Sequence, residues 1–199
     1  MTKDLITRLN EGPVLCAEGY LFAMERRGYL QAGAFVPEVV LEHPDVLSQL
    51  HREFIRSGSD VIQAFTYYGH REKLRIIGKE QLLEPLQKNA LQIAKDSKKE
   101  FKDLDLLVCG DVANTNVYDP NDKKSNIECQ KMFEEQVAWA KESGVDFIVA
   151  ETITWLEEMK IALKAIKDAG LIAVCNYAFR RDGKTRDGYS PGDACKILE

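Results

Sequence analysis

The chain has 199 residues, with 27 Lys and Arg against 32 Asp and Glu, a formal charge of −5, and no basic cluster, which argues against nucleic-acid binding. Apolar residues make up 45% and charged residues 30%, enough for a packed core and too apolar for disorder, while no apolar run approaches the ~20 residues of a membrane span. The first twelve residues scatter charge and hold no apolar stretch of the signal-peptide kind, so the expected compartment is the cytoplasm.

Short apolar runs rich in Val, Ile, Phe and Tyr recur at residues 14–18, 60–67, 106–112, 146–152 and 172–179. Their length and composition predict buried parallel strands. Between them lie amphipathic stretches with helical spacing at 44–57, 80–99, 125–143 and 156–169. The first opens on Pro44 and puts Val46, Leu47, Leu50, Phe54 and Ile55 on one face. Three joints share one signature: Ser57-Gly58-Ser59-Asp60, Ser143-Gly144-Val145-Asp146 and Ala169-Gly170-Leu171-Ile172. Each reads as a helix stopped by a left-handed glycine, then a short loop into a buried strand. A sixth unit begins its helix near Ser190-Pro191-Gly192-Asp193.

The five cysteines (16, 109, 129, 175 and 195) are odd in number, and none pair as C-x-x-C. They read as reduced, mostly buried thiols rather than as a disulfide framework or a metal knuckle. The three histidines form no ligand pattern, so no metal ligand is assigned within the chain.

Repeated βα units fit either a doubly wound sheet or a (β/α) barrel. After the first strand comes Glu18-Gly19-Tyr20-Leu21-Phe22, with no phosphate-binding glycine loop, which favours the barrel. The expected fold is therefore a (β/α)8 TIM-type barrel that is incomplete, with about five units present. Residues 1–199 are expected to form a single barrel domain truncated on its C-terminal side, since a complete barrel takes about 250 residues.

Barrel sites gather at the carboxyl ends of the strands. There stand Glu18 and Gly19; Gln63, Thr66, Tyr67 and Tyr68, with His70 just beyond; Gly110 to Asn114, Asp111 among them; Glu151 and Thr152; and Asn176 and Tyr177. Two carboxylates at one mouth, Glu18 and Glu151, suit either the acid/base pair of a glycosidase or recognition of an ammonium group; each also has an ordinary reading as a solvated loop residue. Tyr67, Tyr68 and Phe35 offer an aromatic wall for an onium group, or simply pack.

Residues 25–38 (ERRGYLQAGAFVPE), 42–68 (EHPDVLSQLHREFIRSGSDVIQAFTYY), 146–152 (DFIVAET) and 188–195 (GYSPGDAC) closely resemble the betaine–homocysteine S-methyltransferases of the homocysteine S-methyltransferase family. The resemblance runs through nearly the whole chain. It implies a zinc-dependent barrel that moves a methyl group from betaine, or a related onium donor such as a dimethylsulfonium compound, to the zinc-activated thiol of homocysteine, forming methionine. Zinc would deprotonate the thiol at neutral pH.

By the same resemblance, Glu18 stands where the family commonly has Asp, and Gly19 keeps the glycine whose backbone approaches the amino acid. Gln63 and Thr66 match a Q-T-F-T segment in which Ala64 replaces the first Thr. Tyr68 matches a tyrosine lining the donor site, and Phe35 replaces the tryptophan of that cage. Glu151 matches the glutamate that binds the homocysteine amino group, and Thr152 replaces a tyrosine on the donor side. The family's three zinc-binding cysteines would lie beyond Glu199, and none of the five present matches them. The implied partners are homocysteine and the onium donor, with no nucleic acid and no membrane; open sheet edges are compatible with a homo-oligomer. A non-catalytic half-barrel that binds a ligand or another chain is the alternative.

Overall fold

The computed structural model describes residues 3–30 and 37–199. Four parallel strands form one sheet: β1 (Val61–Gln63), β2 (Leu107–Ala113), β3 (Phe147–Ile153) and β4 (Ala173–Tyr177). Their order is β1-β2-β3-β4, each beside its sequence neighbour, with Val61 opposite Leu107, Cys109 opposite Phe147, and Ile148 opposite Ala173. A doubly wound sheet reverses its order at a switch point; the uninterrupted order here is that of a barrel wall, and the chain folds as a partial (β/α) barrel.

The run at 14–18 takes up the β1 edge without becoming a full strand. Cys16 bridges Val61 in parallel, the Asp60 N–H donates to the Leu15 carbonyl (2.8 Å), and the Ala17 N–H donates to the Val61 carbonyl (3.0 Å). Pro13 stands on one side of this segment, and Gly19, left-handed at φ 83°, turns the chain on the other. The run at 60–67 is also shorter than its composition predicts. After Ala64 the Thr66 N–H turns back to the Ala64 carbonyl (2.8 Å), and Tyr68 is left-handed at φ 58°.

The helices are α1 (Leu5–Glu11), α2 (Tyr20–Arg26), α3 (Val39–Glu42), α4 (Pro44–Arg56), α5 (Arg71–Ile76), α6 (Leu83–Lys99), α7 (Lys123–Ser143), α8 (Leu156–Asp168) and α9 (Pro191–Leu198). The expected helix over 80–99 divides into a 3-10 turn at Glu80–Leu82 and α6. The three glycine joints are alike. Gly58, Gly144 and Gly170 have φ of 102°, 75° and 77°. The next N–H reaches back five residues each time: Ser59 to Phe54, Val145 to Ala140, and Leu171 to Ile166. This 6→1 bond is the Schellman stop, which needs a residue free of the Cβ penalty at positive φ.

Alternation along the strands divides the core. Ile62, Val108, Val112, Ile148 and Ala150 face outward against α6, α7 and α8, meeting Leu91, Phe133, Val137, Met159 and Ile166. A Cβ on Gly110 would stand 3.1 Å from the Ala140 Cβ, so glycine lets α7 lie close to β2. The opposite face carries Val61, Leu107, Cys109, Phe147 and Val149, closed from the amino-terminal side by Leu5 of α1. The same alternation puts Gln63, Asp111 and Glu151 on this inward face, one step nearer the carboxyl ends. Among the described residues no helix is long and apolar enough to cross a membrane.

Candidate active site

The carboxyl ends of the strands frame a cleft of about 380 Å³. It is lined by Glu18, Gly19, Tyr20, Leu21, Phe22, Gln63, Phe65, Tyr67, Glu151 and Thr152. Glu18 and Gly19 reach it because the 14–18 segment is bonded to β1 up to Ala17 and then turns at Gly19 into α2. Tyr20 fixes that turn from below. Its ring is buried, stacked on Phe65 with centroids 5.6 Å apart, and its hydroxyl meets Nδ1 of His51 at 2.9 Å.

Glu151 is the oriented charge of the cleft. The Gln63 amide Nε2 donates to its Oε1 at 2.8 Å, and Gln63 is itself buried. Burial raises the Glu151 pKa above the usual carboxylate range, the Gln63 hydrogen bond pulls it down, and the Glu18 charge pushes it up. A bound ammonium group would relieve that repulsion and favour the ionised form.

Sequence reasoning singled out Glu18 and Glu151 and gave no role to Asp111, which it placed at the end of the third strand and which lies deeper on the same face. It is 3% exposed, and no donor reaches either of its oxygens in ordinary hydrogen-bond geometry among the described residues. Burial, then the neighbouring Glu151 carboxylate, push its pKa well up, with Gln63 pulling weakly the other way. The signal available was its parity: Asp111 interrupts a buried strand at the inward-facing position two after Cys109.

Thr152 also lines a second cleft of about 480 Å³, with Tyr68, Asn114, Asn116, Tyr118, Thr154, Trp155, Glu158, Ala178 and Arg186. Among the described residues, the three non-glycines with positive φ, Tyr68 (58°), Asn116 (63°) and Thr152 (57°), all line it. Left-handed backbone at a β-branched residue is strained, and such strain concentrates at functional sites. Lys73 Nζ lies 4.3 Å from the Tyr68 ring centroid, so one face of that ring is already occupied by a cation. The Arg186 guanidinium lies 5.9 Å from the Trp155 ring centroid. Glu158 holds the floor, accepting from the Thr115 N–H (2.8 Å) and hydroxyl (2.7 Å).

The expected site residues therefore divide. Glu18, Gly19, Gln63, Glu151 and Thr152 share the first cleft, and Tyr68 joins Thr152 at the second. Thr66 is buried, and its hydroxyl donates to the Asp111 carbonyl at 2.8 Å, so it supports the floor rather than lining either cleft. Phe35 lies outside the described residues. His70 caps α5 and is buried; burial, then Lys73, lower its pKa to about 4, so the ring is neutral at neutral pH.

Among the described residues no three His, Cys, Asp or Glu side chains converge to hold a metal ion. The thiols are free: Cys109 and Cys129 are buried, Cys16 and Cys175 half-buried, and Cys195 exposed, with Cys16 and Cys109 next to each other. These residues do not fit a zinc site.

The family model for homocysteine S-methyltransferase matches residues 19–199. Betaine–homocysteine S-methyltransferase 1 of Mus musculus is 35% identical over 198 residues, which is 98% of this chain and 48% of that protein. The Bos taurus enzyme of the same name is 38% identical over 170 residues, 84% of this chain and 41% of that protein. The chain thus spans about half the length of these curated relatives. The metallated crystal form of the homocysteine methyltransferase MmuM from Escherichia coli superposes with a TM-score of 0.82 at 18% identity, covering 98% of this chain and 73% of that one, which supports the barrel fold.

Proposed function

Because the chain belongs to the homocysteine S-methyltransferase family, we propose that it carries the substrate-binding wall of an enzyme that moves a methyl group from betaine, or a related onium donor, to the homocysteine thiol, forming methionine in the cytoplasm. The observation that carries this reading is the Gln63-oriented carboxylate of Glu151 in a cleft it shares with Glu18. Two carboxylates at one mouth suit an α-ammonium group, and the exposed Gly19 backbone leaves room for the amino acid to approach. The Glu18 side chain is one methylene longer than aspartate, so it reaches further into the cleft.

Donor binding is assigned to the second cleft, which Tyr68 lines, at its junction with the first at Thr152. Methyl transfer needs the thiol sulfur, the methyl carbon and the leaving heteroatom in line, and positioning of this kind supplies much of the catalysis in two-substrate reactions. The part played by the described residues is to bind, orient and exclude water. Activation of the thiol, which the family resemblance assigns to zinc, is not supplied by them.

The test is calorimetric. Titration with L-homocysteine and with its analogue lacking the amino group compares the value of the ammonium contact directly. The expected result is tighter binding of homocysteine, with Glu151→Gln abolishing the difference. Equal binding of both ligands by the unmodified chain refutes the assignment.

A further inference from the structure

We propose that Asp111 is a positioning residue of the first cleft: it holds a proton, shares it in a hydrogen bond to the Glu151 carboxylate, and so, together with the Gln63 amide, aims that carboxylate at an incoming ammonium. The aiming of a ligand rests on the function proposed above; the placement of the proton does not.

The geometry begins with the register of the sheet. Asp111 lies opposite Val149 and Ala113 opposite Glu151, so Asp111 sits one inward-facing layer below Glu151 on the neighbouring strand. Its side chain belongs to the face that carries Cys109 below it. At 3% exposure it is cut off from water, whereas Glu151 is half-buried and opens on the cleft. A carboxylate in such a place must be matched by a cation or by donors. Among the described residues, neither Asp111 oxygen meets a donor in ordinary geometry, and it forms no ion pair. The groups that act on it are Glu151 from β3, Gln63 from β1 and the thiol of Cys16, while Cys109 feels its charge from the same strand. None is cationic.

A neutral carboxylic acid resolves the arrangement. It turns one unmatched oxygen into a donor, and the acceptor beside it is Glu151. The Gln63 amide does not compete for that role. Its nitrogen is committed to Glu151 Oε1 at 2.8 Å, and its oxygen lies 3.8 Å from the Cys16 thiol. Glu151 then receives two donors, one from each neighbouring strand. The influence each carboxyl has on the other agrees with this: burial raises both pKa values, but Glu151 pushes Asp111 further up, whereas Asp111 pulls Glu151 down. Two carboxyl groups in one site thereby acquire separate tasks through depth of burial alone, the deep one protonated and the shallow one charged.

The experiment pairs infrared spectroscopy with calorimetry. At neutral pH the unmodified chain should show the carbonyl band of a protonated carboxylic acid, and Asp111→Asn should lose it. Asn keeps a side-chain donor, so Asp111→Asn should bind homocysteine within about threefold of the unmodified chain. Asp111→Leu, similar in size but without a donor, should lose about tenfold or more, the size of one hydrogen bond to a charged group. That loss should fall on homocysteine and spare its analogue lacking the amino group, which a purely structural role would not do. Absence of the band, or equal loss in the Asn and Leu variants, overturns the proposal. The infrared arm needs only the isosteric Asn variant, so it stands even where Asp111→Leu fails to fold. A persistent band in a chain that binds no homocysteine would uphold the proton's placement and refute the ligand.

Discussion

Replacing Glu158 gives a direct measure of what holds the second cleft together. Glu158 is 2% exposed and Thr115 fully buried, and one oxygen, Oε1, accepts both Thr115 donors at 2.8 and 2.7 Å. This pair fastens the chain that leaves β2, which carries Asn114 and Asn116, to the first turn of α8. In Glu158→Ala the Thr115 N–H is orphaned in the interior, at a cost of about 1–3 kcal/mol. The missing carboxyethyl group leaves a cavity in addition, so a total of roughly 3 kcal/mol is expected. With a slope of about 2 kcal/mol per molar urea, the unfolding midpoint should fall by about 1.5 M. Glu158→Gln keeps an amide oxygen in place of Oε1, so both donors stay matched and the midpoint should move little near neutral pH. The pH dependence separates the variants further. Burial is the largest influence on Glu158 and raises its pKa, against the Thr115 hydrogen bonds and the Arg186 charge. The folded state therefore holds this proton to higher pH than the unfolded state. Stability contributed by the group is full below the unfolded pKa and declines as pH rises through the folded one. Glu158→Gln cannot lose a proton, so it should gain on the unmodified chain as pH rises through that window. Equal destabilisation by Gln and Ala would show that the charge matters rather than the acceptor, and would refute the reasoning.

Two further perturbations test other parts of the structure. Burial, then Arg52, hold the His51 pKa near 3, so the unfolded state binds a proton that the folded state refuses, and stability should fall as pH drops from about 6.5 toward 3, by on the order of 1.4 kcal/mol per unit. His51→Gln keeps a partner for the Tyr20 hydroxyl and cannot titrate; its thermal midpoint should vary less over that range, and an unchanged slope would refute the assignment. Thr152 holds a β-branched side chain at φ 57°, so Thr152→Asn, which tolerates the left-handed region better, should raise the thermal midpoint by a degree or more, equivalent to roughly 0.5–1 kcal/mol. A lowered midpoint would mean that the Thr152 hydroxyl, rather than backbone strain, governs the position.

The strands and long helices were legible because their residues obey local rules. The apolar runs were found within one or two residues at β2 and β3, and the Gly58, Gly144 and Gly170 joints were read from a signature that only a left-handed stop explains. The errors lie where tertiary context overrides composition. The run at 60–67 has strand chemistry throughout, but the chain leaves the sheet after Gln63 and turns sharply at Thr66 to bring Tyr67 and Tyr68 to the mouth. The short helices α1, α2, α3 and α5 gave no signal, since four to seven residues offer too few positions for a helical period to emerge.

The cleft was half legible, for a reason that lies in the sheet. Polar residues that close an apolar strand stand out, which is how Glu18, Gln63 and Glu151 were recognised. Asp111, like Glu151, is the fifth residue of its strand, but Val112 and Ala113 after it are both buried, whereas Glu151 is followed by the half-buried Thr152. Read along the chain, it is a flaw in a hydrophobic run. Read across the sheet, it belongs to the same inward-facing group as Gln63 and Glu151, because alternation along each strand turns all three to one face. Parity could have placed it on the inward face; only the register between β2 and β3 says that it lies beneath Glu151. A buried carboxyl group costs stability unless a neighbour engages it, so its retention in the core of β2 is accounted for by the acidic neighbour it reaches across the strands and by nothing in its own segment.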